Sequence, residues 1–433
     1  MASAEPRTRP GPVDVYLLPA VVGGGLGDIE EVLAAGRRLA SAGLPIHLYR
    51  AAGRPMPRSV EGPWDWPPMR RLRRLRPTRP FALTISPSFG VSAAPARPGP
   101  LGRPGPWAEE AAEIEARYGL DRTIHVSLEE FARTLTSLAE TRERLREGGI
   151  RTRSLPEGVA RAAAAEEVRV FRSAFERFRA FDRANVLHLY ATFRPDRAFA
   201  REFPAAVQVG PLWPERRGAA ARDEARSAPP TWVWYASPAS AERIAPAVRD
   251  GLRRTAGDRV SVHVRTNRPW HTFTAPAGWK ISTDPEPWRR WRTRFARADV
   301  RIATGSRSLL EAIEIGGPFL YFNGILGEGR RVRRHRPEKL ERLLTLARAA
   351  GLPRDVREDL ADFGRGRRVA SVVARVARRS GGWRRFALRR RTVGFSAPYD
   401  DAGALVVRVA RALARPGTSA ADVVARVRRG SNP

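Results

Sequence analysis

Apolar positions cluster in short runs separated by turn residues. The first run, Val13 to Val22, predicts a buried parallel strand. Glycines follow at 23, 24, 25 and 27, and then Asp28. Beyond them Ile29, Val32, Leu33, Gly36, Leu39 and Ala40 recur at helical spacing up to Gly43, which has the character of a C′ glycine. Leu44 to Tyr49 is a second strand, so the chain opens as strand, glycine loop, helix, strand, the first unit of a doubly wound sheet. From Arg50 to Trp107 prolines, arginines and glycines break every period except one strand, Phe81 to Ile85. Helical spacing returns over Trp107 to Tyr118, Leu128 to Glu147 and Gly158 to Arg183, followed by strands at Asn185 to Tyr190 and Ala205 to Val209.

A charged, Ala-rich stretch closed by Pro229-Pro230 reads as a linker over residues 216–230. The alternation then restarts: strand Trp232 to Tyr235, helix Ser240 to Arg254, strand Val260 to Arg265, strand Trp279 to Ser282, helix Trp288 to Arg297, strand Val300 to Ala303, helix Ser308 to Ile315 and strand Phe319 to Phe322. Helices fill Pro337 to Arg428, one of which could cross back onto the first domain. The expected fold class is α/β, two Rossmann-like domains whose parallel sheets face a central cleft, with boundaries 1–215, 231–395 and a helical tail 396–433.

The 433 residues, 42% of them hydrophobic, suffice for two such cores. The start is polar and Pro-rich, and no apolar run is long enough to span a bilayer, so a cytoplasmic protein is expected. With no cysteine, and six histidines that show no ligand spacing, no metal and no cofactor are expected. The net charge of +33 suggests polyanionic partners, but Lys280 and Lys339 are the only lysines, a bias that a GC-rich genome produces whatever the function. No nucleic-acid-binding motif accompanies the charge, so nucleic acid is not the expected partner.

Two segments carry chemistry. In Ala298 to Phe322, Asp299 opens a strand, Gly305 and Ser306 form a turn, Ser308 and Glu311 sit on the following helix, and Gly316 with Pro318 closes it. A helix that starts just after a strand offers free N–H groups and a positive dipole end, suited to a diphosphate. A carboxylate one turn further in can accept from ribose hydroxyls. The same Ser308-x-x-Glu311 spacing also fits a capping box. In the other segment Gly24, Gly25 and Gly27 allow close backbone approach, and Asp28 is either a general base or, with Glu31, an N-cap.

The string from Ala298 to Pro318 resembles the donor-binding core of GT-B glycosyltransferases, particularly the lipid-intermediate N-acetylglucosaminyltransferases of peptidoglycan synthesis. Gly24 to Asp28 is similar to the GGLGD loop of glycogen and starch synthases, although Val22 and Gly23 stand where those enzymes have lysine. The resemblance implies transfer of a sugar from a nucleotide diphosphate sugar, such as a UDP-sugar, with inversion and without metal. Glu311 would then bind the ribose, with Gly305, Ser306 and Ser308 around the donor. Ser237 and Ser240, at the entry to the second domain, and Arg265 with Thr266, at the end of a strand, would complete the donor site, while Ser240 also fits an N-cap. Trp64, Trp66, Met69, Leu72 and Leu75 interleave with arginines between 70 and 76, suited to an anionic membrane surface on which a polyprenyl-linked acceptor would be presented. A solvated Pro/Arg loop is the alternative. Two other functions fit the same sequence, a nucleotide-sugar epimerase and a non-catalytic basic protein for RNA or membrane.

Overall fold

The structure is a computed structural model. It describes residues 12–19, 27–50, 70–71, 77–87, 108–129, 183–195, 197, 200, 204–214, 230–236, 239–256, 260–266, 273–283, 288–322, 338–376, 378, 382–390, 392–397, 399–430 and 433. The loop carrying Gly24 and Gly25, the Trp64/Trp66 segment, residues 216–229 of the expected linker, Ser237, and the expected helices beyond residue 129 and up to 182 lie outside the described residues. The chain divides into two compact units, Met1–Met56 with Pro67–Leu212 and Ser396–Pro433, and Pro57–Trp66 with Trp213–Phe395.

Among the described residues of the first unit seven parallel strands run β1 (Val13–Leu17), β2 (Ile46–Arg50), β3 (Arg70–Arg71), β4 (Phe81–Pro87), β5 (Thr123–Glu129), β6 (Val186–Ala191) and β7 (Ala206–Val209). Their spatial order is β3-β2-β1-β4-β5-β6-β7. β1 lies inside the sheet, with Val15 opposite Ile46 on one side and Leu83 on the other, so the order reverses between β1 and β4. The first strand is shorter than the apolar run from which it was read, ending at Leu17 before Pro19. Helix α1 (Gly27–Ser41) follows and stops as its glycine requires. Gly43 has φ 82°, its N–H donates to the Ala40 carbonyl, and that of Leu44 donates to the Leu39 carbonyl, a Schellman ending.

Helical periodicity read from Leu128 onward has to be corrected, because Leu128 and Glu129 close strand β5. Thr123, His125 and Ser127 alternate like the exposed face of a strand, yet all three are fully buried. His125 explains this: its Nδ1 lies 2.7 Å from the Thr84 hydroxyl and its Nε2 2.9 Å from Glu115, on helix α2 (Ala108–Tyr118). Burial holds His125 below its usual pKa, and therefore neutral, despite Glu115. Burial alone would raise the Glu115 pKa, but hydrogen bonds from His125, Arg183 and Asn185 bring it down to about 2.

A second polar knot sits at the amino-terminal edge of this sheet. Asp14, fully buried on β1, accepts from His47 Nε2 (2.9 Å), Thr78 N (2.9 Å), Thr78 Oγ1 (2.5 Å), Arg79 N (2.9 Å) and the Tyr118 hydroxyl (2.7 Å). One carboxylate thereby ties together β1, β2, the approach to β4 and the end of α2. The last residues of the chain pack on the same unit. Helix α10 (Ala402–Leu413) is capped by Asp401, which also pairs with Arg38 of α1 at 3.0 Å. In α11 (Ala420–Arg428) the Arg428 guanidinium donates to the carbonyls of Arg183 and Val186. Gly210, just past β7, donates to the Tyr399 carbonyl and accepts from Ala402 N, and a Cβ there would overlap the Asp400 carbonyl.

Among its described residues the second unit has five parallel strands, β8 (Thr231–Ala236), β9 (Ser261–Thr266), β10 (Trp279–Ser282), β11 (Val300–Ala303) and β12 (Phe319–Tyr321), in the order β10-β9-β8-β11-β12. Helices α3 (Ala239–Ala256), α4 (Trp288–Arg297) and α5 (Ser306–Ile315) connect them. Four more follow: α6 (Glu338–Ala349), α7 (Arg354–Gly364), α8 (Val369–Val376) and α9 (Trp383–Arg389). Trp232 and Trp234 on one face of β8 and Val233 on the other are all buried, consistent with a central strand covered on both faces. The fold class is thus two doubly wound, all-parallel α/β units. No helix among the described residues is long and apolar enough to cross a membrane.

Candidate functional site

In the second unit the strand order reverses between β8 and β11, and open α/β sheets bind ligands at the carboxyl ends of strands at such a point. Polar groups at the opposite ends fix the two strands. Asp299 accepts from Thr231 N at 2.7 Å and its own N–H donates to the Thr231 carbonyl, so this residue of the motif pins the amino ends of β8 and β11 together. Arg301, buried in β11, donates to the carbonyls of Phe295 and Ala296, both at 2.7 Å, and so satisfies the end of α4. Its guanidinium lies 2.7 Å from where a Cβ on residue 317 would stand, which explains Gly317.

At the carboxyl ends, the buried Thr304 donates its hydroxyl to the Tyr235 carbonyl at 2.5 Å, closing β11 onto β8. Gly305 follows in extended conformation as the N-cap of α5, and no side chain caps the helix. The first-turn amides of Ser306, Arg307 and Ser308 therefore stand at the switch point without intrahelical acceptors. This overturns the capping-box reading of Ser308-x-x-Glu311: Ser308 is three residues beyond the cap, and its hydroxyl donates to the Gly305 carbonyl at 3.0 Å. Glu311, 3% exposed, instead pairs with Arg307 one turn back, Nε to Oε1 3.5 Å. Lys339, at the start of α6, donates its ammonium to the Ser306 hydroxyl. The first turn of α5 contains no acidic residue.

On the other side of β8, β9 ends with Arg265 and Thr266. The Arg265 guanidinium lies 5.5 Å from the centre of the Trp291 ring, and Trp291 in turn lies 6.0 Å from Tyr235. The half-buried guanidinium is thus held in place at the sheet edge. Since β8 separates β9 from β11, strand spacing puts Arg265 about 10 Å from the Thr304 turn. Thr266 is buried.

The structure therefore gathers Gly305, Ser306, Ser308 and Glu311 on one turn and helix, and Arg265 with Thr266 two strands away. Ser240 falls at the second residue of α3, inside the helix where an N-cap was expected, and its side chain lies outside the described residues. Gly27 and Asp28 are the first two residues of α1, which follows the carboxyl end of β1 at the switch point of the first unit, and the Asp28 side chain is likewise undescribed. Thr304, Arg307, Trp291 and Lys339 were not singled out from sequence. Among the described residues no group of three or more His, Asp or Glu is brought together as a metal site would require.

No known family profile matches the chain, and no curated protein matches it either. Solved structures do show likeness. LpCGTa, solved in complex with UDP, is 15% identical over 96% of this chain and 99% of its own, with a TM-score of 0.45. The glycotransferase of kitacinnamycin is 16% identical over 89% and 100%, TM-score 0.39. An alpha-glucosyltransferase in complex with UDP-glucose and DNA containing an abasic site is 10% identical over 89% and 97%, TM-score 0.40. At such distances function has to be argued from the residues of this chain.

Proposed function

We propose that this chain is a glycosyltransferase that takes a sugar from a nucleoside diphosphate sugar. The observation that carries the reading is the uncapped amino end of α5 at the switch point of a five-stranded parallel sheet, with a small-residue turn, Thr304-Gly305-Ser306, leading into it. A helix end of this kind stabilises a negative charge by roughly 0.3–1 kcal/mol at an exposed surface and more when water is excluded. In a glycosyl transfer that charge grows on the leaving diphosphate. The acceptor hydroxyl oxygen bonds to the anomeric carbon, and the bond from that carbon to the phosphate oxygen breaks with its electron pair going to the diphosphate. The hydroxyl proton passes to a base. The first-turn amides of α5 would stabilise the departing diphosphate, Glu311 would share its carboxylate between Arg307 and the ribose, and Asp28 is the candidate base.

The test is to incubate the protein with a panel of nucleotide sugars, with and without sugar, aglycone and polyprenyl-phosphate acceptors, and to follow the anomeric protons and free nucleoside diphosphate by NMR. Release that requires an acceptor establishes transfer. Conversion of the donor to an epimer without acceptor establishes the epimerase instead, and no change in any donor refutes both.

A further inference from the structure

Lysine is rare in this chain: arginine supplies nearly all the basic charge, and only Lys280 and Lys339 are lysines. Lys280 is exposed on the edge strand β10. Lys339 is half-buried at the start of α6 and reaches across 33 positions of sequence to donate to the Ser306 hydroxyl, in the first turn of α5. Ser306 is itself buried. No carboxylate pairs with this ammonium among the described residues. Arg307 stands in the same first turn, and no acidic residue does. The Lys339 ammonium thus meets the positive end of the helix, where the macrodipole disfavours a cation and favours an anion. Glu311, in the next turn, pairs with Arg307.

We infer that Lys339 is the side chain that makes this site select a diphosphate, by leaving or sharing the Ser306 hydroxyl and donating to phosphate oxygens held at the first-turn amides of α5. The inference rests on the donor reading above and adds a residue from outside the motif. An ammonium is a compact point charge with three donors, so Lys339 can serve Ser306 and one or two phosphate oxygens together. It has no part in recognising base or ribose, so its effect is confined to ligands that carry phosphate.

The experiment is calorimetric titration of the full-length protein with UDP, GDP, ADP, inorganic pyrophosphate and the matching nucleosides. The wild type is compared with Lys339→Gln, Lys339→Arg and, as an equal loss of charge elsewhere, Lys280→Gln; thermal melting confirms that each is folded. Lys339→Gln is expected to weaken the preferred nucleoside diphosphate and pyrophosphate by about 10- to 100-fold and to leave the nucleoside unchanged, the scale of a lost hydrogen bond to a charged group. Lys339→Arg should recover most of the loss, and Lys280→Gln should show none. Equal weakening of nucleoside and diphosphate, an equal loss in Lys280→Gln, or unchanged diphosphate affinity in Lys339→Gln overturns the assignment while the donor site stands. Failure of the wild type to bind any of the diphosphates overturns the donor reading, and this inference with it.

Discussion

Replacing Asp14 by asparagine tests whether the first unit is held by its buried carboxylate. Oδ1 accepts from His47 and the Thr78 hydroxyl, and Oδ2 accepts from the backbone amides of Thr78 and Arg79 and the Tyr118 hydroxyl. Asparagine has the same shape but no charge and one acceptor oxygen. Its oxygen can take the place of Oδ2, since the two backbone amides cannot turn away, whereas the Thr78 hydroxyl and His47 ring can reorient toward the amide nitrogen. What remains lost is the negative charge that strengthened the five hydrogen bonds. A hydrogen bond to a charged group contributes about 1.5–3 kcal/mol and such terms are not additive, so the variant is expected to lose about 2–4 kcal/mol. For a domain of this size that lowers Tm by roughly 5–15 °C. The sign of the pH dependence follows. Burial raises the Asp14 pKa, but the hydrogen bonds from His47, Thr78 and Tyr118 outweigh it and hold the carboxyl well below its ordinary 3.8. Its contribution is therefore complete above about pH 4 and lost as pH falls below that, so the wild type should lose its advantage over the variant in acid. Thermal unfolding followed by circular dichroism between pH 7 and pH 3 measures both. A Tm within about 1 °C of wild type at pH 7, or a difference that does not shrink in acid, would refute the reasoning.

Glu115 follows the same rule, its pKa falling from 4.5 to about 2, so Glu115→Gln should reduce stability at neutral pH and flatten the loss between pH 4.5 and 2, as read by the same melts. Gly210→Ala forces a methyl group onto the Asp400 carbonyl and should lower stability by roughly 1–3 kcal/mol or more, measured by urea unfolding; an unchanged midpoint would mean that the two segments separate freely. If Asp28 is the base, Asp28→Asn should melt like the wild type while turnover falls by about 100-fold or more, and full turnover in that variant removes the assignment.

Much of the second unit was legible because apolar strand runs and helical periods alternate along its sequence. The sequence places β10, α4 and β11 at the residues where the structure has them, since apolar strands alternate there with a helix whose buried Trp291 and Phe295 lie four apart. What stayed hidden depends on pairs distant in sequence. Thr123, His125 and Ser127 look solvated until Thr84 and Glu115, from two other elements, come to meet His125. Asp14 sits within an apolar run, and only folding shows that five donors from distant segments converge on it. At the candidate site the turn and Glu311 were readable as a local string, but whether Ser308 caps the helix was not, because Gly305 can occupy the cap without a side chain. Lys339 touches Ser306 only through the fold, although its rarity in an arginine-rich chain was visible from the start.

The central claim is that the turn and helix from Thr304 to Glu311 hold a nucleoside diphosphate sugar. Isothermal titration of the full-length protein with nucleotide sugars, repeated on Glu311→Ala and Glu311→Gln, tests it most directly. The account predicts saturable one-site binding of at least one nucleotide sugar by the wild type, weakened by roughly 1–3 kcal/mol in Glu311→Ala and less in Glu311→Gln, which keeps an acceptor oxygen. Binding of no nucleotide sugar by the folded wild type, or unaltered affinity in a folded Glu311→Ala protein, would contradict it.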